Sequence, residues 1–304
     1  MTTYEEIVGE SQGIIRQYKK PLTLRQLYYR LVAKMVIPNN LNMYKRLSSW
    51  MVKARENGDI DHRRIVDRVR YIDGEYQYYE SPDTFKKYWI DRFLNGWREY
   101  TRSIWEGQQY YVEVWIEKDA LFDGVSEVAD EHRCITAVAR GYSSFSFVRD
   151  ALDRWQDPLD LGREIRVIYL TDFDPAGEDM VRDLKSRISR YSNLDGDEIV
   201  QKVALTLDQV ELYNLPTAPM KTRQNQKRLT VFADSRAAAF ARKYGNAVVE
   251  LDALEPPTLQ DIVRTSIRQY IDTDRWNSTV ETSQHEQQVV MEWLAKLSTR
   301  VTVE

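Results

Sequence analysis

A chain of 304 residues, 42% hydrophobic and 30% charged, can build one large packed domain or two modest ones and is too apolar for wholesale disorder. No apolar run approaches the roughly 20 residues of a membrane helix, and no basic-then-apolar leader pattern opens the sequence. With Cys134 as the only cysteine, an internal disulfide is excluded and a cytoplasmic location is expected, nucleoid-associated if the source is prokaryotic.

The net charge of −4 hides an asymmetry: residues 1–70 hold 14 Lys and Arg against 7 Asp and Glu, the remainder 29 against 40. A basic head suits a polyanion and an acidic body suits cations. The three histidines are too far apart in sequence to suggest zinc.

In "PLTLRQLYYRLVAKMVIPNN", Thr23 and Gln26 form a capping box and predict a helix from about residue 24. Leu24, Leu27, Tyr28, Leu31, Val32 and Met35 form its buried stripe. Tyr29 lies about 100° further round, off the stripe, and on this pattern alone reads as a surface tyrosine. A second helix is predicted over 41–57, with Tyr44, Leu47, Met51 and Ala54 inward and Gly58 as its stop. The extended basic segment "DIDHRRIVDRVR" follows. This order suits a helix-turn-helix with a wing, or a plain helical subdomain with solvated charges. On the first reading Arg25, Arg30, Lys45, Arg46, Lys53, Arg55, Arg63 and Arg64 are the candidate contacts to double-stranded DNA.

Residues 76–105 read as a helical connector, with Ser81 as a cap and Pro82 at the first helical position. Its stripe of Phe85, Trp89, Phe93, Trp97 and Ile104 is expected to be core or interdomain packing rather than a base-stacking surface. From Tyr110 strands and helices alternate: "YYVEVWIEK", with Val112, Val114 and Ile116 on one face and Glu113, Trp115 and Glu117 on the other; the helix "DALFDGVSEVADEH"; the strand "CITAV"; the helix "SFSFVRDALDRW"; the strand "IRVIYL"; the helix "AGEDMVRDLKSRI"; and the strand "KVALTL". That alternation predicts an α/β domain with a central parallel sheet flanked by helices. The tail is mixed, with a basic loop "KTRQNQKR" and the turn-rich "LDALEPPTLQ".

Open parallel sheets carry their sites beyond the C-terminal ends of strands. Glu117 falls there after one strand, and Asp172 and Asp174 after another, in "VIYLTDFDPAGEDM". Asp172 and Asp174, at i and i+2 of an extended segment, can face one ion. Three oxygen donors without His or Cys suit Mg²⁺. Ala176 stands where a haloacid-dehalogenase phosphatase needs Thr or Val, which argues against that class.

"VWIEKDALF", "ARGYSS" and "IYLTDFDPAGEDM" together resemble the Toprim domain, and most closely that of the topoisomerase VI A subunit and the meiotic double-strand-break transesterase. "TLRQLYYRL" resembles the catalytic-tyrosine motif of the same family, and "NLPTAP", "DSRA" and "VELDALEP" resemble its tail. The chain looks most like the small stand-alone "mini-A" members. The resemblance implies a winged-helix domain over 1–75 and a Toprim domain with a C-terminal extension over 106–304. It implies Mg²⁺ on Glu117, Asp172 and Asp174, and Tyr29 as the nucleophile that forms a 5′-phosphotyrosyl link. It also implies a homodimer in which each tyrosine faces the partner's pocket. From the residues themselves, Arg25, one turn behind Tyr29, could hold the scissile phosphate. Gln26 replaces a usual acid and "GYSS" a usual Gly-Tyr-Pro. No glycine-rich ATP motif is present, so strand passage would need a separate ATPase subunit. Two other functions fit the same residues: a hydrolytic Toprim nuclease that does not use the tyrosine, for example in mobile-element or plasmid defence, and a non-catalytic DNA-binding protein. No membrane partner is expected.

Overall fold

The computed structural model describes residues 3–66, 78–224 and 230–301. The expected wing beyond Val66 and the middle of "KTRQNQKR" lie outside these residues. Two compact units form: Met1–Arg70 with Val112–Leu161 and Ile165–Gln269, and Tyr71–Tyr111 with Gly162–Glu164 and Tyr270–Glu304. In chain order the helices are α1 (Tyr4–Gln17), α2 (Leu24–Ala33), α3 (Leu41–Glu56), α4 (Pro82–Leu94), α5 (Phe122–Glu131), α6 (Phe145–Asp160), α7 (Pro175–Tyr191), α8 (Gly196–Ile199), α9 (Leu207–Leu212), α10 (Ala237–Tyr244), α11 (Pro256–Arg268) and α12 (Thr273–Val301). The strands are β1 (Leu22–Thr23), β2 (Ile65–Val66), β3 (Tyr110–Ile116), β4 (Ile135–Val138), β5 (Glu164–Leu170), β6 (Val200–Ala204), β7 (Ala218–Pro219), β8 (Thr222–Gln224), β9 (Thr230–Phe232) and β10 (Ala247–Val248).

The first unit begins with α1, α2 and α3. The Thr23–Gln26 box starts α2 as predicted, each side chain bonded to the other residue's backbone N–H. The helix ends earlier than the stripe suggested. Met35 turns out of it with φ 56° and is 91% exposed instead of buried. Leu47, Met51 and Ala54 are the buried face of α3, which Asn40 caps. β1, just before α2, and β2, after α3, pair in parallel.

The same unit holds the four-stranded parallel sheet, in the order β4-β3-β5-β6. Both inner strands are covered, and every residue from Val112 to Ile116 is buried. Both faces of the predicted strand are therefore in the core. Glu113 is fully buried, and its carboxylate accepts from Trp115 Nε1 (2.8 Å), Trp155 Nε1 (3.0 Å) and both Nε and Nη2 of Arg154 (2.8 Å each). Four charge-assisted donors repay the desolvation of this carboxylate.

The last sheet strand lies earlier than "KVALTL" implied. β6 stops at Ala204 because Thr206 and Gln209 form the capping box of α9. "LDALEPPTLQ" is less turn-like than its prolines suggest. Leu251–Ala253 form a buried 3-10 turn, and Pro256 starts α11, which buries Leu259, Val263 and Ile267.

In the second unit Ser81 caps α4 and Pro82 is its first residue, as predicted. The aromatic stripe is not core: none of its α4 residues is buried, and Phe85, Trp89 and Phe93 are each about half exposed. Periodicity marked an apolar face but could not supply a cover for it.

Candidate active site

The segment that ends β5 is built around a close helix start. Asp174 is the N-cap of α7, and its Oδ1 accepts the Gly177 N–H at 2.6 Å. A Cβ on Gly177 would lie 2.3 Å from the Asp172 carbonyl oxygen, so glycine alone lets the helix start this near the strand. Phe173 pairs with Val249 by two backbone hydrogen bonds of 2.9 and 3.0 Å, and Asp172 Oδ1 accepts the Leu251 N–H at 2.7 Å. These bonds bring Glu250 and Asp252 against Asp172.

Lys118, which follows Glu117 at the end of β3, fills the space between them. Its Nζ lies 2.9 Å from Asp172, 3.1 Å from Glu250 and 2.7 Å from Asp252. Burial opposes the Lys118 charge, but Asp252, Asp172 and Glu250 outweigh it and hold the ammonium above its ordinary pKa. Asp172 is pushed up to about 7, chiefly by burial, against the pull of Lys118 and the Leu251 N–H. One ammonium shared among three carboxylates does not fully repay the desolvation of this one. Lys202 Nζ donates to the Asp172 carbonyl (3.0 Å) and to Glu178 (2.6 Å). Thr171 donates its hydroxyl to Glu117.

The tyrosine helix α2 docks on the same 250–255 segment. Arg25 pairs with Glu250 at 3.1 Å. Arg30 pairs with Glu255 at 2.9 Å and donates to the Ala253 carbonyl. Tyr29, which the helical pattern placed at the surface, is only 7% exposed. It lines a cleft of about 940 Å³ together with Asp174, Glu250, Tyr142 and Arg236. Burial raises the phenol well above its ordinary pKa and Glu250 adds to this; Lys118 and Arg25 pull the other way. On the cleft wall Arg236 pairs with Asp234 and bonds the Tyr142 hydroxyl, which in turn donates to Asp179 of α7. The "GYSS" and "DSRA" motifs are thus tied to the helix that follows the aspartates. A second cleft, of about 740 Å³, is lined by Glu117, Arg25, Lys118, Arg55, Arg140 and Asp252, among others.

The predicted carboxylates therefore gather at the C-terminal end of the sheet: Glu117 is bonded to Thr171, next to Asp172, while Asp174 caps α7 and lines the other cleft. Among the described residues no three His, Cys, Asp or Glu side chains form a ready metal cage. The donor set is all oxygen, as Mg²⁺ prefers. Glu117 and Asp174 each face a cleft, while Asp172 is committed to Lys118. The predicted DNA contacts also separate. Lys45, Arg46, Lys53 and Arg63 are exposed, although Arg63 is bonded to Asp61 and Arg46 lies over Trp50 at 4.2 Å. Arg55 is half-buried and bonds the Met51 carbonyl. Arg64 donates to the carbonyls of Ile15, Tyr18 and Lys19, closing the end of α1. Arg30 is buried. Lys118 follows Glu117 in "VWIEKDALF", and Glu250 and Asp252 fall within "VELDALEP"; neither motif by itself brings the three together. The Glu-x-Asp spacing of Glu250 and Asp252, the counterpart of Asp172-x-Asp174, was the available signal.

No family model matches the chain, and no curated protein is significantly similar to it. The character of the site rests on its residues and their geometry: an α/β protein with carboxylates and basic side chains at the C-terminal edge of a parallel sheet.

Proposed function

We propose that this chain is a Mg²⁺-dependent DNA-breaking transesterase of topoisomerase VI A type. The observation that carries the reading is that Tyr29 and Asp174 line one cleft of a single chain, beside a cleft lined by Arg25 and Glu117. Glu117 and Asp174 would hold Mg²⁺, which when bound stabilises charge developing on the scissile phosphate. Arg25, once released from Glu250, orients that phosphate. Tyr29 Oη bonds to phosphorus as the P–O3′ bond breaks. The tyrosine proton passes to water and the departing 3′ oxygen takes one up, leaving a 5′-phosphotyrosyl link. The family resemblance further suggests a homodimer with each tyrosine at the partner's carboxylates; in the single chain Tyr29 already lines a cleft with Asp174, so cleavage as proposed does not need the partner, and any strand passage would need a separate ATPase subunit.

The burial of Tyr29 and its raised pKa favour one rival, hydrolysis at the same carboxylates without the tyrosine. Cleavage of supercoiled plasmid in Mg²⁺, read with and without protease digestion, separates the two. Protein-linked breaks lost in both Tyr29→Phe and Glu117→Ala are the expected result. Free ends that survive Tyr29→Phe but not Glu117→Ala would establish the nuclease. Salt-sensitive DNA binding with no cutting, even with a candidate partner subunit, would favour a non-catalytic binder.

The exposed face of α3 is the proposed DNA surface. Arg46→Ala is expected to lower the slope of log affinity against log salt by about 1 with stability unchanged. Arg64→Ala should instead lower stability by removing the donor to the carbonyls of Ile15, Tyr18 and Lys19, at and just beyond the end of α1. Anisotropy titrations at several salt concentrations, with urea melts beside them, check both; equal slopes for Arg46→Ala and wild type would remove α3 from the interface.

A further inference from the structure

The acidic end of the sheet holds more carboxylate than one metal ion needs. Asp172, from the end of β5, and Glu250 and Asp252, from the segment after β10, all reach the Lys118 ammonium at 2.7–3.1 Å. These are hydrogen-bond distances, and the lysine side chain is 14% exposed. Glu250 has a second cation in Arg25; among the described residues Asp172 and Asp252 have no ion-pair partner but Lys118.

An independent observation points the same way. The Asp252 side chain is fully buried, yet its Oδ1 has no hydrogen-bond partner, and the residue lines the cleft that holds Glu117 and Lys118. A buried carboxylate oxygen without a donor is unfavourable unless positive charge faces it. The Lys118 ammonium brings that charge to the same carboxylate through its other oxygen, Oδ2, at 2.7 Å, and both residues line the cleft that holds Glu117. Phosphoryl-transfer sites often place two metal ions about 3.5–4 Å apart, one on each side of the reacting phosphate. A fixed ammonium can take one of those positions and is present whatever the metal concentration.

We infer that the Lys118 ammonium stands in the place of a second cation, so that the chain takes one divalent ion, held by Glu117 and Asp174, while Asp172, Glu250 and Asp252 serve the lysine. This rests on the proposed reading of the carboxylates as a metal site. On this account Lys118 is a positioning residue with its own electrostatic role, and Asp252 is its buried counter-ion.

Counting bound Mn²⁺ by electron paramagnetic resonance on the full chain with duplex DNA tests it. Wild type is expected to bind one ion per chain, lost in Glu117→Gln. Lys118→Met is expected to bind two, because three carboxylates without their ammonium recreate a cation site, and its thermal unfolding should respond to Mn²⁺ more than that of wild type. Adding Asp252→Asn to Lys118→Met should abolish the second ion, and this less charged double variant serves if the single one does not fold. Two ions on wild type would overturn the inference and leave the metal reading intact. One ion on both wild type and Lys118→Met, or a second ion that persists in the double variant, would do the same. No ion on wild type would overturn both.

Discussion

Glu113→Ala is expected to lose roughly 3–5 kcal/mol of stability in urea denaturation, with the transition moved to lower denaturant and its slope kept. The size follows from what remains behind. The carboxylate is fully buried in the central sheet and accepts from two indole N–H groups and from two nitrogens of one guanidinium. Arg154 is 34% exposed and can turn to water. Trp115 and Trp155 are both fully buried, so their N–H groups lose an acceptor inside the core, each at about 1–3 kcal/mol. Glu113→Gln keeps one acceptor oxygen but presents an NH₂ group to donors, so an intermediate loss is expected. A loss below about 1 kcal/mol for the alanine variant would mean that water or a shifted side chain replaces the carboxylate.

Glu113 also shows where sequence reading stops. A single glutamate in an alternating strand reads as solvent-facing, because period-two alternation is the mark of a half-buried strand. Its true position depends on "IRVIYL" pairing beside it as β5 and on Trp155 of α6 reaching over it, and neither is local. The same contrast runs through the site. The Thr23–Gln26 cap, the Ser81–Pro82 helix start and the strand-end positions of Glu117, Asp172 and Asp174 were legible, since each is set by neighbours a few residues away. The partners of those side chains were not. Lys118 meets Asp252 across 134 residues, and Arg30 meets Ala253 across 223. Tyr29 was misplaced for a related reason. A helix with one apolar stripe has one expected buried face, but α2 is packed on a second side by the 250–255 segment, which covers Tyr29 and Arg30 as well.

Gly177→Ala is expected to disturb the carboxylates directly. The added Cβ would meet the Asp172 carbonyl oxygen at 2.3 Å and Thr171 Oγ1 at 2.9 Å. Both contacts are backbone or buried side chain, so α7 or the β5 end must move. The Asp172 carbonyl also accepts from Lys202, Thr171 donates to Glu117, and the Gly177 N–H is the donor to Asp174. One methyl group thus pushes on the surroundings of all three acids. Overpacking of this kind costs about 1–3 kcal/mol, and a displacement near 1 Å at a reacting centre can lower a rate by about 10²-fold. Gly196→Ala is the control. Its Cβ would lie 2.1 Å from the Lys185 carbonyl, a clash with the body of α7 away from its N-terminus. Both variants should melt earlier than wild type. Under conditions where both remain folded, Gly177→Ala alone should lose Mn²⁺ affinity and, on the proposed reading, DNA cleavage. Equal losses in the two variants would mean that the metal and cleavage effects follow general destabilisation. A Gly177→Ala protein as stable and as metal-avid as wild type would show that the strand end yields freely, and that the close helix start does not set the positions of Asp172 and Asp174.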